Sequence, residues 1–268
     1  MVYLVPFFKN PNFKDVEEAH EVKVLVKKNK YDYHKFLHCL NDTFLWHNSE
    51  NGKLILSTDK RTVIPILEDI ETFRVDTEGK QVIASKVLNE TKFICDDNGY
   101  EENIIMCGTD HIINRNLDTL FDEDFDIMIP IRKGTRVNNA MIVVKKVTED
   151  VKRFFGYRYD RWVADKHKDP HWDWYGDQRT YDNILREELG LLPQRDPPMK
   201  FNYKLGTYNV RGCKVKLIEY GGKECGSFDI WPKSARVFQP DTYFYDFKGK
   251  RKQYFFETFR RERNKHGR

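Results

Sequence analysis

The residues from Asn103 to Leu117 constrain this chain more than any other stretch. Asn103-Ile104-Ile105-Met106-Cys107 rises as an apolar, β-branched run, reaches Gly108-Thr109-Asp110, resumes through Ile112-Ile113, and gives way to polar residues at Asn114-Arg115-Asn116. A short apolar run bounded by polar residues predicts a buried strand. A carboxylate inside such a run is costly unless it is hydrogen-bonded, paired or on a metal. Ligands of open α/β sheets gather at the carboxyl ends of the strands, so Asp110 is a candidate ligand for a cation carrying a phosphorylated molecule. Its plainer reading is a strand-end carboxylate that caps the following turn.

The rest of the first half alternates in period. Val2 to Phe8 predicts an opening strand and lacks the basic start and small-residue cleavage site of a leader. Residues 31–46 carry Tyr33, Phe36, Leu37, Leu40, Phe44 and Leu45 at three-four spacing, a helical face. Strands are expected at 53–57, 72–75, 125–131 and 140–144, and helices over 82–95 and, with a break near Asp169-Pro170, over 150–192. Beyond Pro197-Pro198, glycines punctuate short β-type runs, notably Cys213 to Tyr220. The pattern predicts an α/β fold with a mainly parallel mixed sheet flanked by helices and a smaller, β-containing C-terminal portion. Residues 1–252 are expected to form one domain, with halves at 1–150 and 151–252, and 253–268 a basic aromatic helix or tail.

Charge divides unevenly. Nine Lys or Arg between Lys248 and Arg268 face two Glu, so this segment carries +7 of a total of +4 and the remainder is at −3. Five scattered cysteines form no C-x-x-C pair, which argues against a disulfide framework or a cysteine zinc site and for free thiols in a reducing cytoplasm. Apolar runs are too short to cross a bilayer. The phosphate-loop, dinucleotide and nucleophile-elbow signatures are absent, which disfavours the common nucleotide kinases, dehydrogenases and α/β-hydrolases.

Four segments then line up in order: Asp110 with Arg115-Asn116-Leu117-Asp118-Thr119-Leu120-Phe121; Asn138-Asn139-Ala140-Met141; Asp177-Gln178; and Asp246-Phe247-Lys248-Gly249-Lys250-Arg251-Lys252. Together they resemble the GT-A nucleotide-sugar glycosyltransferases, especially the glycogenin-like and lipopolysaccharide-galactosyltransferase-like group. In that family the strand ends in D-x-D followed by a run like R-N-L-D-E-L-F. Asp110 matches the second carboxylate, and Gly108 stands where the first would be. The terminal H-x-x-G-x-x-K pattern keeps Gly249 and Lys252 and replaces the histidine with Asp246.

The resemblance implies a GT-A-like fold and transfer of a hexose from a nucleoside-diphosphate sugar, UDP favoured, with Mn²⁺ or Mg²⁺. It implies Asp110 and Asp246 as metal ligands and Asp177, Gln178 and Asn138 beside the transferred sugar. Val5, Phe7 and Asp59 would flank the nucleoside, with Thr109, Lys86, Gly249 and Lys252 on the donor. The acceptor, whether glycan, lipid or protein, is not encoded. Asp177 also suits a helix cap, Asn138-Asn139 ordinary turn chemistry, and 248–252 a solvated basic segment.

His167 and His171 are four apart, but Pro170 between them argues against a zinc helix. Trp172, Trp174 and Tyr175 are instead candidate acceptor contacts or packing residues. The tail's first reading is docking against the domain; contact with an anionic membrane at the cytoplasmic face is a second. Nucleic acid is not an expected partner, although a basic tail keeps it as a rival. Gly108 keeps open a relative that binds nucleotide or glycan without turnover.

Overall fold

The computed structural model describes residues 1–8, 33–48, 50, 52–60, 62–77, 82–132, 134–166, 172–191, 202–222, 224–228 and 242–247. Residues 193–198, His167, His171, Gly249, Lys252 and the 253–268 tail lie outside them, as do the side chains of Trp172 and Trp174.

The strands are β1 Val2–Pro6, β2 Lys53–Asp59, β3 Ile70–Val75, β4 Glu102–Cys107, β5 His111–Ile113, β6 Ile127–Arg132, β7 Arg136–Val137, β8 Met141–Lys146, β9 Gly206–Val210, β10 Cys213–Tyr220, β11 Cys225–Phe228 and β12 Phe244–Phe247. They form one sheet in the order β3-β2-β1-β4-β8-β6-β10-β11-β12-β5, with β7 on β6 and β9 on β10. The helices are α1 Tyr33–Asn48, α2 Val82–Cys95, α3 Glu149–Asp165 and α4 Trp172–Glu188, with a short 3₁₀ helix at Asp118–Phe121.

The continuous apolar runs have a simple cause. Side chains of a strand alternate between faces, and both faces of this sheet are covered. Val2, Leu4, Ile104 and Met106 point into one core with Phe93 of α2, Phe154 and Phe155 of α3, and Tyr181 and Ile184 of α4. Tyr3, Val5, Ile105 and Cys107 point into the other with Leu37, Leu40 and Phe44 of α1. A strand buried on both sides has no polar face to alternate with.

Local chemistry marks the helix starts. Thr148 caps α3 by accepting from the Val151 amide at 3.3 Å, and Glu149 and Asp150 follow in the first turn, where the helix dipole favours anions. The expected helical stretch from 150 contains α3 and α4, and the expected break at Asp169-Pro170 lies outside the described residues. No helix among the described residues is long and apolar enough to cross a membrane.

One expectation needs correcting. The apolar run around Asp110 is two strands, not one. β4 ends at Cys107, the chain turns through Gly108–Asp110, and β5 leaves to pair antiparallel with β12. Asp110 therefore lies in the connection, beyond the end of a strand that runs parallel to β1. β8 runs antiparallel to β4 with Cys107 opposite Met141, so Asn138 and Asn139 enter from the same edge. That edge collects the candidate residues.

Candidate active site

Two carboxylates and an imidazole meet at this edge. Asp110, His111 and Asp246 each offer a ligand atom, and these atoms lie within 4.8 Å of one another. Asp110 and Asp246 are separated by half the length of the chain. The β5–β12 ladder brings them together by setting Asp246 opposite His111.

Asn114 and the Arg115–Phe121 run, which carries part of the resemblance, secure this ladder. The Asn114 amide donates to the Tyr243 carbonyl at 2.8 Å, and the Asn114 side chain donates to the Thr242 carbonyl at 2.9 Å. Arg115 lies over the Tyr243 ring at 4.6 Å, and the Thr119 and Tyr243 hydroxyls are 2.8 Å apart. The run Arg115–Phe121 thus grips the start of β12 and fixes where Asp246 sits. Its first job is architectural.

Asp246 is buried, and the Tyr220 hydroxyl donates to its Oδ2 at 2.6 Å. His111 is buried too. Its ring stacks on Phe244 at 5.5 Å, and its Nδ1 is 3.5 Å from the Tyr3 hydroxyl, the outer limit for a hydrogen bond. Gly108 has a steric role here. A Cβ at this position would lie 2.7 Å from Asp110 Oδ1 and 3.9 Å from His111 Nε2. The missing side chain leaves its volume to Asp110.

The donor set fits a divalent cation. Ligands of a small divalent ion sit about 2.1 Å from it, hence roughly 3 to 4 Å apart. Small side-chain rotations would close the present spread. Oxygen with one imidazole nitrogen suits Mn²⁺ and tolerates Mg²⁺.

A second cluster lies on the helical side. Lys86 of α2 donates to Asp177 Oδ2 at 2.9 Å across 91 residues, and lies 3.8 Å from Glu90 one turn on. Asn139 donates to the same Asp177 oxygen at 2.5 Å, and the Gln178 amide donates to Oδ1 at 2.8 Å. Arg158 of α3, fully buried, donates to Glu90 at 2.8 Å and stacks on Tyr181 at 4.5 Å. Two cations and two anions therefore neutralise one another out of water.

Burial pushes the Asp177 carboxyl up, but Lys86, Asn139 and Arg158 outweigh it and hold it below the usual carboxylate range. Burial pushes Lys86 down, and Asp177 and Glu90 more than reverse this. Asp177 stays an anion.

The remaining sequence-predicted residues are placed as follows. Val5 is fully buried in the core with α1, so its side chain faces the interior. Phe7 extends β1 by donating its amide to the Ser57 carbonyl at 2.9 Å. Asp59 ties its own turn, accepting from the Thr62 amide at 2.7 Å. Asn138 accepts from the Ala140 amide at 3.0 Å, a turn contact, while its neighbour Asn139 reaches Asp177. Thr109 is buried in the Gly108–Asp110 turn. Four participants were not singled out from sequence: His111, Glu90, Arg158 and Tyr220; Asn139 stood in the Asn138-Asn139-Ala140-Met141 segment without a role of its own. Only Glu90, one helical turn after Lys86, and His111, beside Asp110, carried a local signal.

No family model matches this sequence, and no curated protein matches it. Among solved structures, the galactosyltransferase LgtC in complex with donor and acceptor sugar analogs superposes with a TM-score of 0.52 over 93% of this chain and 88% of that one, at 8% identity. An active-site mutant of LgtC gives 0.49 at 9% identity, with the same coverage. The glycosyltransferase GlyE of Streptococcus pneumoniae TIGR4 gives 0.44 at 12% identity, and the chain spans 43% of its length. On the LgtC superposition, the chain has a GT-A-like glycosyltransferase fold.

Proposed function

We propose that this chain is a glycosyltransferase that moves a hexose from a nucleoside-diphosphate sugar, UDP-linked by preference, to a glycan, lipid or protein acceptor. One observation carries the proposal. In a GT-A-like fold, Asp110 and Asp246 come from distant segments to within 4.8 Å, at the carboxyl edge of the parallel strands.

In this reading Asp110 and Asp246 hold Mn²⁺ or Mg²⁺ against the diphosphate. When bound, the ion stabilises the negative charge that develops on the leaving group. Tyr220 fixes the Asp246 rotamer by its 2.6 Å hydrogen bond. Asp177, kept ionised and oriented by Lys86, Asn139 and the Gln178 amide, presents a fixed negative charge to the anomeric carbon as positive charge builds there. Lys86 acts through Asp177, because its ammonium is engaged by that carboxylate. Gly249 and Lys252 complete the diphosphate clamp in this proposal, and retention of anomeric configuration is the expected outcome.

A thermal-shift panel of UDP- and GDP-sugars, with and without Mn²⁺, tests the reading, followed by measurement of donor hydrolysis. Metal-dependent stabilisation by a UDP-sugar with slow hydrolysis is expected. Stabilisation without hydrolysis would reduce the chain to a binding protein, and no stabilisation by any donor would overturn the proposal.

A further inference from the structure

We propose that His111 supplies a ligand nitrogen to the cation, so that the metal set of this chain is Asp110, His111 and Asp246 rather than carboxylates alone. The inference rests on the metal site of the preceding section and adds a residue to it.

Three observations converge on His111. It lies directly across the β5–β12 ladder from Asp246, and directly paired residues of a sheet present their side chains on one face. Its ring is held from two directions, by stacking on Phe244 and by the Tyr3 hydroxyl near Nδ1. The other nitrogen, Nε2, lies toward Gly108, 3.9 Å from where a side chain on residue 108 would begin, and Asp110 Oδ1 is 2.7 Å from the same point. The glycine leaves this space to the Asp110 carboxylate, and the imidazole borders it.

The geometry matches how histidines bind metals. A ligating imidazole usually engages a polar neighbour through its second nitrogen, which fixes the tautomer and aims the ring. The Tyr3 hydroxyl is placed to accept from Nδ1–H, which makes Nε2 the ligand atom. A nitrogen in the set also changes selectivity. Mg²⁺ favours oxygen ligands, whereas Mn²⁺, Co²⁺ and Zn²⁺ accept imidazole readily. Mn²⁺ should therefore bind this chain at least about tenfold more tightly than Mg²⁺.

Electron paramagnetic resonance on the full chain with Mn²⁺ alone, then with Mn²⁺ and UDP, tests this without an activity assay. Pulsed spectra should show nitrogen hyperfine coupling from one imidazole in the native protein. That coupling should vanish in His111→Gln while Mn²⁺ affinity falls about tenfold or more. His111→Asn provides a second, smaller variant, and a metal-free melting curve for each separates loss of the ligand from loss of the fold. Bound Mn²⁺ without nitrogen coupling, or coupling that survives in a folded His111 variant, would overturn the role of His111 and leave the metal site standing. Failure of the native chain to bind Mn²⁺ at millimolar concentration would overturn the metal site itself.

Discussion

The metal corner and the buried ion cluster use similar residues to opposite ends. Lys86, Glu90, Asp177 and Arg158 are neutral as a group, and each finds its counter-charge within the cluster. Asp110, His111 and Asp246 bring two carboxylates together with one imidazole, so the trio itself carries an excess of negative charge. The first arrangement is complete as folded. The second, on the proposed reading, is built to take a cation. Buried ion pairs are expensive to break from one side, whereas crowded carboxylates repel until something positive joins them. The contrast sets Lys86, Glu90 and Arg158, which neutralise Asp177 within the fold, against the trio proposed to hold a cation.

The difference can be broken in order of effect. Arg158→Ala should cost about 3 to 5 kcal/mol of stability, because it leaves a buried carboxylate with one fewer partner, and urea unfolding measures it. A loss under 1 kcal/mol would mean that the cluster contributes little to the fold. Asp246→Asn should behave the other way. The metal-free protein should melt at or slightly above the native temperature, while the stabilisation from Mn²⁺, about 2.7 kcal/mol at a hundred times the dissociation constant, should disappear. A large metal-free destabilisation would place Asp246 with the structural group instead.

Acidity sharpens the contrast further. Burial raises Asp182 to about 7, against hydrogen bonds from the Val137 amide and the Tyr203 hydroxyl. Its folded state binds a proton that the unfolded chain releases near pH 4, so stability falls as pH rises from about 4 to about 7. Asp177 has the opposite sign. Its lowered value gives stability that is present above about pH 4 and lost on acidification through the folded value. Asp182→Asn should flatten the first slope and leave the acid limb intact. Unfolding titrations between pH 3 and 8 would show it, and an unchanged upper slope would remove Asp182 from the account. Smallest is Tyr220→Phe, which frees Asp246 to rotate and should weaken Mn²⁺ binding about tenfold with little change in metal-free stability. Calorimetric titration with Mn²⁺ measures it, and unchanged affinity would mean that Tyr220 does not position Asp246.

The sequence made the architecture legible wherever burial writes a period. Strands covered on both faces appeared as unbroken apolar runs, and α2 matched its expected span of Val82–Cys95. Asp110 drew notice because a carboxylate inside an apolar run is costly without a partner, whereas Asp177 entered only through the family resemblance. The site was illegible where meaning depends on pairing across long separations. Both flanks of the Gly108–Asp110 turn are apolar, so nothing local shows that β5 leaves β4 to join β12. Asn138 and Asn139 look alike in sequence, yet one closes a turn and the other reaches Asp177. Arg158 carries no local signal, because its partner Glu90 sits 68 residues away.

The most direct test is calorimetric titration of UDP into the full chain with Mn²⁺ and with a chelator, for the native protein and for Asp110→Asn. Heat of binding that requires Mn²⁺ and vanishes in Asp110→Asn is the expected result. UDP binding of equal strength in chelator, or undiminished in the variant, would contradict the idea that these carboxylates hold an ion against a diphosphate.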